Sequence, residues 1–197
     1  MFAYCGNNPI VFSDDAGTFS VLDIIHKIKV TVARAIVAGA PSLLNYDENE
    51  LSSLDCFSYN CAGNGLGKQI DFWFVPDYTE GMTTRQAYGI IQEIVGKDNI
   101  RELESINDII DETEFRGAFR CGPSDLHFIR QLSNGQWYNK SGTAPGLVIP
   151  VEVVTNGIDD TGLWYALWME DGRAYFSPEV YYDDETIYYA LKKDWWK

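Results

Sequence analysis

The chain has 197 residues, of which 46% are apolar, and a formal net charge of −14. This length and apolar content suffice for one compact domain with a sizeable core and exclude wholesale disorder. The acidic balance, with no cluster of Lys or Arg, argues against a nucleic-acid substrate because a polyphosphate backbone would be repelled.

The first 17 residues, MFAYCGNNPIVFSDDAG, contain turn signals with nothing before them to connect, so the chain looks cut from a longer one. Residues 2–9, followed by Asp14, Ala16 and Gly17, resemble the closing segment of the RHS repeat-associated core, with Asp15 where proline is usual. In that family the core encloses a variable C-terminal toxin that is freed by cleavage near the second motif. The resemblance implies a secreted effector that acts in the target-cell cytoplasm and has a cognate immunity protein as a partner.

The most hydrophobic stretch, residues 21–37, predicts an amphipathic helix. It is interrupted by Lys27, Lys29 and Arg34, so it is not expected to span a membrane. Its apolar residues recur near helical spacing at Leu22, Ile25, Ile28, Val32 and Ile36. His26 lies on this apolar-rich helix and is interpreted as structural. No signal peptide is expected.

A polar connection over residues 47–53 is predicted to lead to a central helical zone. There Thr83 or Thr84 can cap a helix that runs to about Val95 and ends at Gly96. Residues 100–110 predict a second helical run.

From Phe115 onward, short runs of β-branched and aromatic residues between turn signals predict strands. A Ser-Asn-Gly turn joins two of these runs into a β-hairpin. The predicted strands cover residues 118–121, 126–131, 136–139, 147–154, 163–169, 173–176 and 186–191. Helices followed by an antiparallel sheet indicate an α+β fold. We divide the chain into residues 1–17, the end of the RHS core; 18–50, a helix and connection; and 51–197, the toxin domain.

A cysteine-protease-like site needs a thiol, an imidazole that takes its proton and a third group that orients the imidazole. Cys61 is preceded by Asn60 and Ser58, either of which could cap a short helix that begins near the thiol. His127 lies on the first strand of the predicted hairpin. Asn139 lies on the second strand, about two residues from direct opposition to His127, and an Asn carbonyl can hold the imidazole in the required tautomer.

These segments resemble the nucleophile and histidine motifs of papain-like peptidase domains related to the NlpC-type group. The resemblance implies a papain-like domain with Cys61 as nucleophile, His127 as general base and Asn139 as the orienting residue, a position that is often His in those domains. The matching residues are 60–63, 66–68 and 72–76 for the first motif, and 125–131, 134–137 and 140–142 for the second.

The other cysteines are weaker candidates for the nucleophile. Cys56 is an alternative nucleophile five residues upstream, and Cys121 is expected in the core. Together with Cys5, the four cysteines are too few and too irregularly spaced for a disulfide scaffold or a zinc ribbon. With two histidines and no His-Glu-x-x-His pattern, we expect neither a metal nor a cofactor.

Three further features have an interpretation without catalysis. The glycines at 63, 65 and 67 do not predict a phosphate loop, because Gln69 follows Lys68 where Ser or Thr would be needed. Arg130 and Gln131 either line the strand surface or bind a substrate carboxylate. The aromatic residues of the C-terminal third are expected to pack on the sheet, with a cleft wall or a partner surface as the alternative.

The predicted activity is that of a toxin effector that acts as a cysteine hydrolase, a peptidase or amidase, on a protein or peptide through a thioester. The backbone N–H of Cys61 would supply part of the oxyanion hole. The alternatives are a deamidase or transglutaminase with the same three residues, a nuclease or ADP-ribosyl-type transferase, and a non-enzymatic binding module.

Overall fold

The computed structural model describes residues 21–55, 58–71, 81–123, 125–140, 148–150, 164–170, 173–182 and 184–197. The predictions made for residues 1–17, Cys56, 72–76, 141–142, 147, 151–154 and 163 lie outside this part of the chain. The main chain of Asn139 is described, whereas its side chain is not.

In the described part of the chain, four helices precede the main run of strands. The helices are α1 (Val21–Gly39), α2 (Glu48–Ser53), α3 (Cys61–Leu66) and α4 (Thr84–Val95), of which α1, α3 and α4 confirm the sequence predictions. Helix α4 begins where expected because Thr83 and Gln86 form a capping box, and it ends at Gly96, whose φ is 88°.

Two predicted elements were wrong. Residues 47–53 are not a connection, because Asp47 caps α2 and its carboxylate accepts the N–H groups of Asn49 and Glu50, both at 2.9 Å. Residues 100–110 do not form a helix. Ile100–Leu103 is strand β1, which pairs with the C-terminal strand, and Asp108 then accepts the N–H of Glu104 at 2.7 Å in a turn. Tertiary pairing has overridden the local helical pattern.

The remaining strands confirm an α+β fold. They are β2 (Glu114–Cys121), β3 (Leu126–Gln131), β4 (Trp137–Lys140), β5 (Val148–Pro150), β6 (Trp164–Glu170), β7 (Arg173–Tyr182) and β8 (Thr186–Lys192). The described strands form a six-stranded antiparallel sheet in the order β1-β8-β2-β3-β4-β5 and a separate β6-β7 ribbon. The predicted hairpin is β3-β4, and Gly135 supplies the positive φ of 80° that its turn requires.

The main core lies between one face of the six-stranded sheet and helices α1, α3 and α4. Phe119, Phe128 and Tyr189 are buried there from the sheet, and Phe119 stacks on Phe128 with ring centroids 5.1 Å apart. A smaller cluster on the opposite face contains Ile106, Ala118, Ile129 and Trp137.

Helix α1 forms where predicted, but a different face of it packs. Ala33 and Val37 are buried against the core, whereas the predicted apolar residues Leu22, Ile25, Ile28, Val32 and Ile36 are exposed. His26 joins the helix to α4 through a 2.7 Å contact between its Nε2 and Glu93 Oε2. Of the helices that the structure describes, none has both the length and the apolar character needed to cross a membrane.

Candidate functional site

Cys61 is the first residue of α3, and the local sequence explains why the helix begins there. The side chain of Asn60 accepts the backbone N–H of Gly63 at 3.0 Å, which is the N-cap interaction expected for this position. At the other end, Gly67 adopts a left-handed conformation with φ 71°. The cap and the terminal glycine fix a short helix with the thiol at its start, and the expectation of a cap beside Cys61 is confirmed.

Gly65 lets α3 lie directly on strand β3. A Cβ atom at this position would come within 2.5 Å of the Phe128 ring, so only glycine fits between helix and strand. The Tyr189 hydroxyl, on the neighbouring part of the sheet, donates to the Gly65 carbonyl at 2.7 Å. This close approach sets the distance of Cys61 from β3.

The thiol of Cys61 lies against the main chain of β3. Its Sγ is 3.9 Å from the carbonyl oxygen of Leu126, and the backbone N–H of Phe128 donates toward the sulfur. That carbonyl and that N–H belong to the two peptide groups on either side of His127. The fold therefore brings Cys61 beside the main chain of His127.

The His127 side chain does not share the face of β3 that carries its two neighbours. Leu126 and Phe128 point into the core on the α3 side, and side chains alternate along a strand, so the His127 side chain begins on the opposite face. The residue is 6% exposed, and its ring stacks on Tyr182 with centroids 5.2 Å apart. On the neighbouring strand it pairs in register with Arg120. Catalytic pairing of Cys61 with His127 thus stays a prediction.

The third predicted residue, Asn139, lies on β4 directly opposite Ile129. This register is two residues from opposition to His127, as the hairpin turn predicted. The register concerns the main chain alone, so the role of Asn139 as an orienting residue stays a prediction.

Two residues near the thiol were not assigned a role from sequence. Asp125 accepts the Tyr182 hydroxyl through Oδ2 at 3.3 Å and its neighbour's backbone N–H, that of Leu126, through Oδ1 at 2.7 Å. Asp125 lies two residues before His127, and this spacing is the sequence feature that could have identified it. Tyr182 comes from the end of β7, and nothing in its local sequence distinguishes it from other aromatic residues of the C-terminal third.

The surroundings keep the thiol neutral in the resting protein. Burial of the sulfur raises the pKa of Cys61 to about 12, and the nearby Asp125 carboxylate raises it further, while the Lys140 ammonium acts in the opposite direction. Partial loss of hydration also raises the pKa of the Asp125 carboxyl, although the residue as a whole is exposed. A reaction at Cys61 near neutral pH therefore needs a base that removes the proton as the sulfur attacks.

Cys121 is fully buried in the main core, as predicted. Burial raises the pKa of its thiol to about 11. It serves as an internal reference for an unreactive cysteine.

Several cationic side chains are buried in the interior. Four cationic side chains are at most 1% exposed, namely Lys68, Arg120, Arg130 and Lys140, and no Asp or Glu is buried among the residues that the structure describes. Lys68 Nζ donates to the carbonyls of Ala38 and Ala40, at 3.2 and 2.7 Å. Lys68 thus holds the end of α1.

Arg130 lies on β3 with its Nε and Nη2 atoms buried and without hydrogen-bond partners. The strand-surface interpretation of Arg130 is wrong, because the side chain is buried in the interior. Burial lowers the pKa of its guanidinium to about 10. Its neighbour Gln131 is instead used within the sheet, donating to the Gly135 carbonyl at 2.8 Å and accepting from Arg116 at 3.1 Å.

Within the described residues, no three His, Cys, Asp or Glu side chains are arranged so that they could hold a metal ion. No protein-family model matches the chain, and searches of curated proteins and of solved structures found no match either.

Proposed function

We propose that the chain is a cysteine hydrolase, a peptidase or amidase of papain-like type, with Cys61 as nucleophile and His127 as general base. The observation that carries this proposal is the contact of the Cys61 sulfur with the two peptide groups that flank His127. A cysteine that opens a capped helix, packed on an antiparallel strand that carries the histidine, is the arrangement expected of such an enzyme.

The chemistry follows from the neutral thiol. In the proposed mechanism the imidazole accepts the thiol proton while sulfur attacks the carbonyl carbon of an amide, and the backbone N–H of Cys61 donates to the developing oxyanion. The imidazolium then protonates the leaving amine as the C–N bond breaks. Water, activated by the same imidazole, hydrolyses the thioester and restores the thiol.

The mechanism requires movement of His127. Its ring rests on Tyr182, and in the proposed mechanism it turns about its side-chain torsions toward the Cys61 sulfur. The substrate-free arrangement is therefore compatible with the proposed roles, as catalytic hydrogen bonds commonly form only with substrate bound.

The biological setting is proposed from the first 17 residues, which resemble the end of an RHS core. In this setting the hydrolase is the C-terminal toxin of an RHS protein and acts in the cytoplasm of a target cell, and a cognate immunity protein covers its site. Cys61 and His127 would serve a deamidase or transglutaminase in the same way, with a different acceptor.

Selective alkylation tests the proposal. The full chain would be exposed briefly to iodoacetamide at pH 7.5, and each cysteine quantified by peptide mass mapping in the wild type and in His127→Gln. We expect Cys61 to react faster than the buried Cys121, and the His127→Gln change to slow Cys61 at least about tenfold without changing Cys121. Equal, slow labelling of both cysteines in both proteins would contradict the proposal. Circular dichroism would show that the variant remains folded.

A further inference from the structure

We infer that Tyr182 and Asp125 are positioning residues that set the resting orientation of His127, whereas sequence analysis gave the orienting role to Asn139 alone. The inference rests on the proposed function only where it gives His127 a part in catalysis. The contacts on which it depends are present without substrate.

Tyr182 supplies the surface on which the imidazole rests. Tyr182 is 2% exposed, and its ring lies nearly parallel to the His127 ring, at an interplanar angle of 26°. The carbonyl of Tyr182 accepts from Arg120 Nη1 at 3.4 Å, which ties it to the strand that pairs with His127. Tyr182 is thus held in place by a hydrogen bond to its main chain as well as by the burial of its side chain.

Asp125 fixes the other end of Tyr182. The Tyr182 hydroxyl donates to Asp125 Oδ2 at 3.3 Å, and Asp125 Oδ1 accepts the N–H of Leu126 at 2.7 Å, at the start of the strand that carries His127. The carboxylate, the tyrosine and the imidazole therefore form one connected unit whose two ends lie on the same short segment of chain.

Among the residues that the structure describes, charged groups on several elements lie near His127. Arg120 faces it from β2 and is itself hydrogen-bonded to Thr186 at 2.8 Å, with the Asp184 carboxylate nearby. The Asp125 carboxylate is bonded to Tyr182, whose ring lies against the His127 ring, and Cys61 approaches from α3. A nearby cation is expected to disfavour the imidazolium and a nearby carboxylate to stabilise it, so we expect removal of the Asp125 charge to lower the pKa of His127.

A proton NMR titration of His127 tests the inference without requiring catalysis. The chain has two histidines, so a His26→Gln background leaves one imidazole to follow. We expect Asp125→Asn to lower the titration midpoint of His127 by about 0.5 to 1 pH unit. In a Tyr182→Phe background, which keeps the ring but removes the hydroxyl, the same change should produce less than half that shift, because the carboxylate keeps its bond to the Leu126 N–H but loses its link to the ring on which His127 rests. Asn139→Ala should leave the midpoint unchanged.

The inference is overturned if Asp125→Asn has no effect, if its effect is the same with Phe at position 182, or if Asn139→Ala shifts the midpoint as much as Asp125→Asn does. Asp125 is exposed, so its variant tests the inference even if a Tyr182 variant is poorly folded. Failure of the hydrolase proposal would be seen separately, in the alkylation of Cys61, and would leave this titration interpretable.

Discussion

The sulfur of Cys61 lies 3.9 Å from the carbonyl oxygen of Leu126, the residue that precedes His127. A glycine at position 65 makes this relationship possible, because a Cβ atom there would collide with Phe128 and push α3 away from β3. The site thus depends on a steric feature one helical turn from the thiol.

Substitution of Gly65 should show this dependence directly. We expect Gly65→Ala to lower the free energy of unfolding by about 1–3 kcal/mol, since the added methyl group overpacks a filled interface. Gly89→Ala is the matched control: nothing lies within 4 Å of a Cβ atom there, and the change in α4 should raise the free energy of unfolding by up to about 1 kcal/mol. Urea denaturation measures both. A neutral Gly65→Ala would contradict the close packing of α3 on β3.

The Asp125 carboxylate should make Cys61 less reactive in the resting protein. Because this charge raises the pKa of the Cys61 thiol, Asp125→Asn lowers that pKa and increases the thiolate fraction at any pH below it. We expect iodoacetamide to label Cys61 about threefold faster in the variant at pH 9, where a histidine of ordinary pKa is already neutral. Labelling slower than or equal to that of the wild type would show that the carboxylate does not act on the thiol.

The buried guanidinium of Arg130 should reduce stability. Two of its nitrogen atoms are buried without partners, so replacement by an apolar side chain of similar length removes an uncompensated desolvation cost. We expect Arg130→Met to raise the free energy of unfolding by about 1 kcal/mol or more. Arg101→Met provides the contrast, because Arg101 is half-exposed and paired with Glu114 at 2.8 Å, and its loss should lower stability by less than about 1 kcal/mol. Denaturant titration of both variants would decide, and a destabilised Arg130→Met protein would contradict the prediction.

Elements with strong local signals were predictable from the sequence. The capping box at Thr83, the Asn60 cap and the Asn134-Gly135 turn each determine a helix start or a hairpin from a few adjacent residues. Strand β1 was missed because its conformation is set by pairing with β8 at the far end of the chain. Periodicity identified α1 as a helix, but could not indicate which side of it would meet α4.

The candidate site was predictable only in part, for the same reason. Cys61 and its cap could be read locally, and so could the strand that carries His127. The alternation that sends the His127 ring to the opposite face depends on which face of the sheet receives α3, and the Tyr182 contact depends on the distant end of β7. Both are tertiary relationships, without a local sequence signal.

The most direct test of the central claim is the growth of bacteria that express the full chain, as wild type, as Cys61→Ala and as the control Cys121→Ala, at matched levels of soluble protein. If Cys61 is the nucleophile of a toxic hydrolase, the wild type arrests growth and Cys61→Ala abolishes the arrest, whereas the folded fraction of Cys121→Ala remains toxic. Equal growth arrest by the wild type and Cys61→Ala would contradict the account.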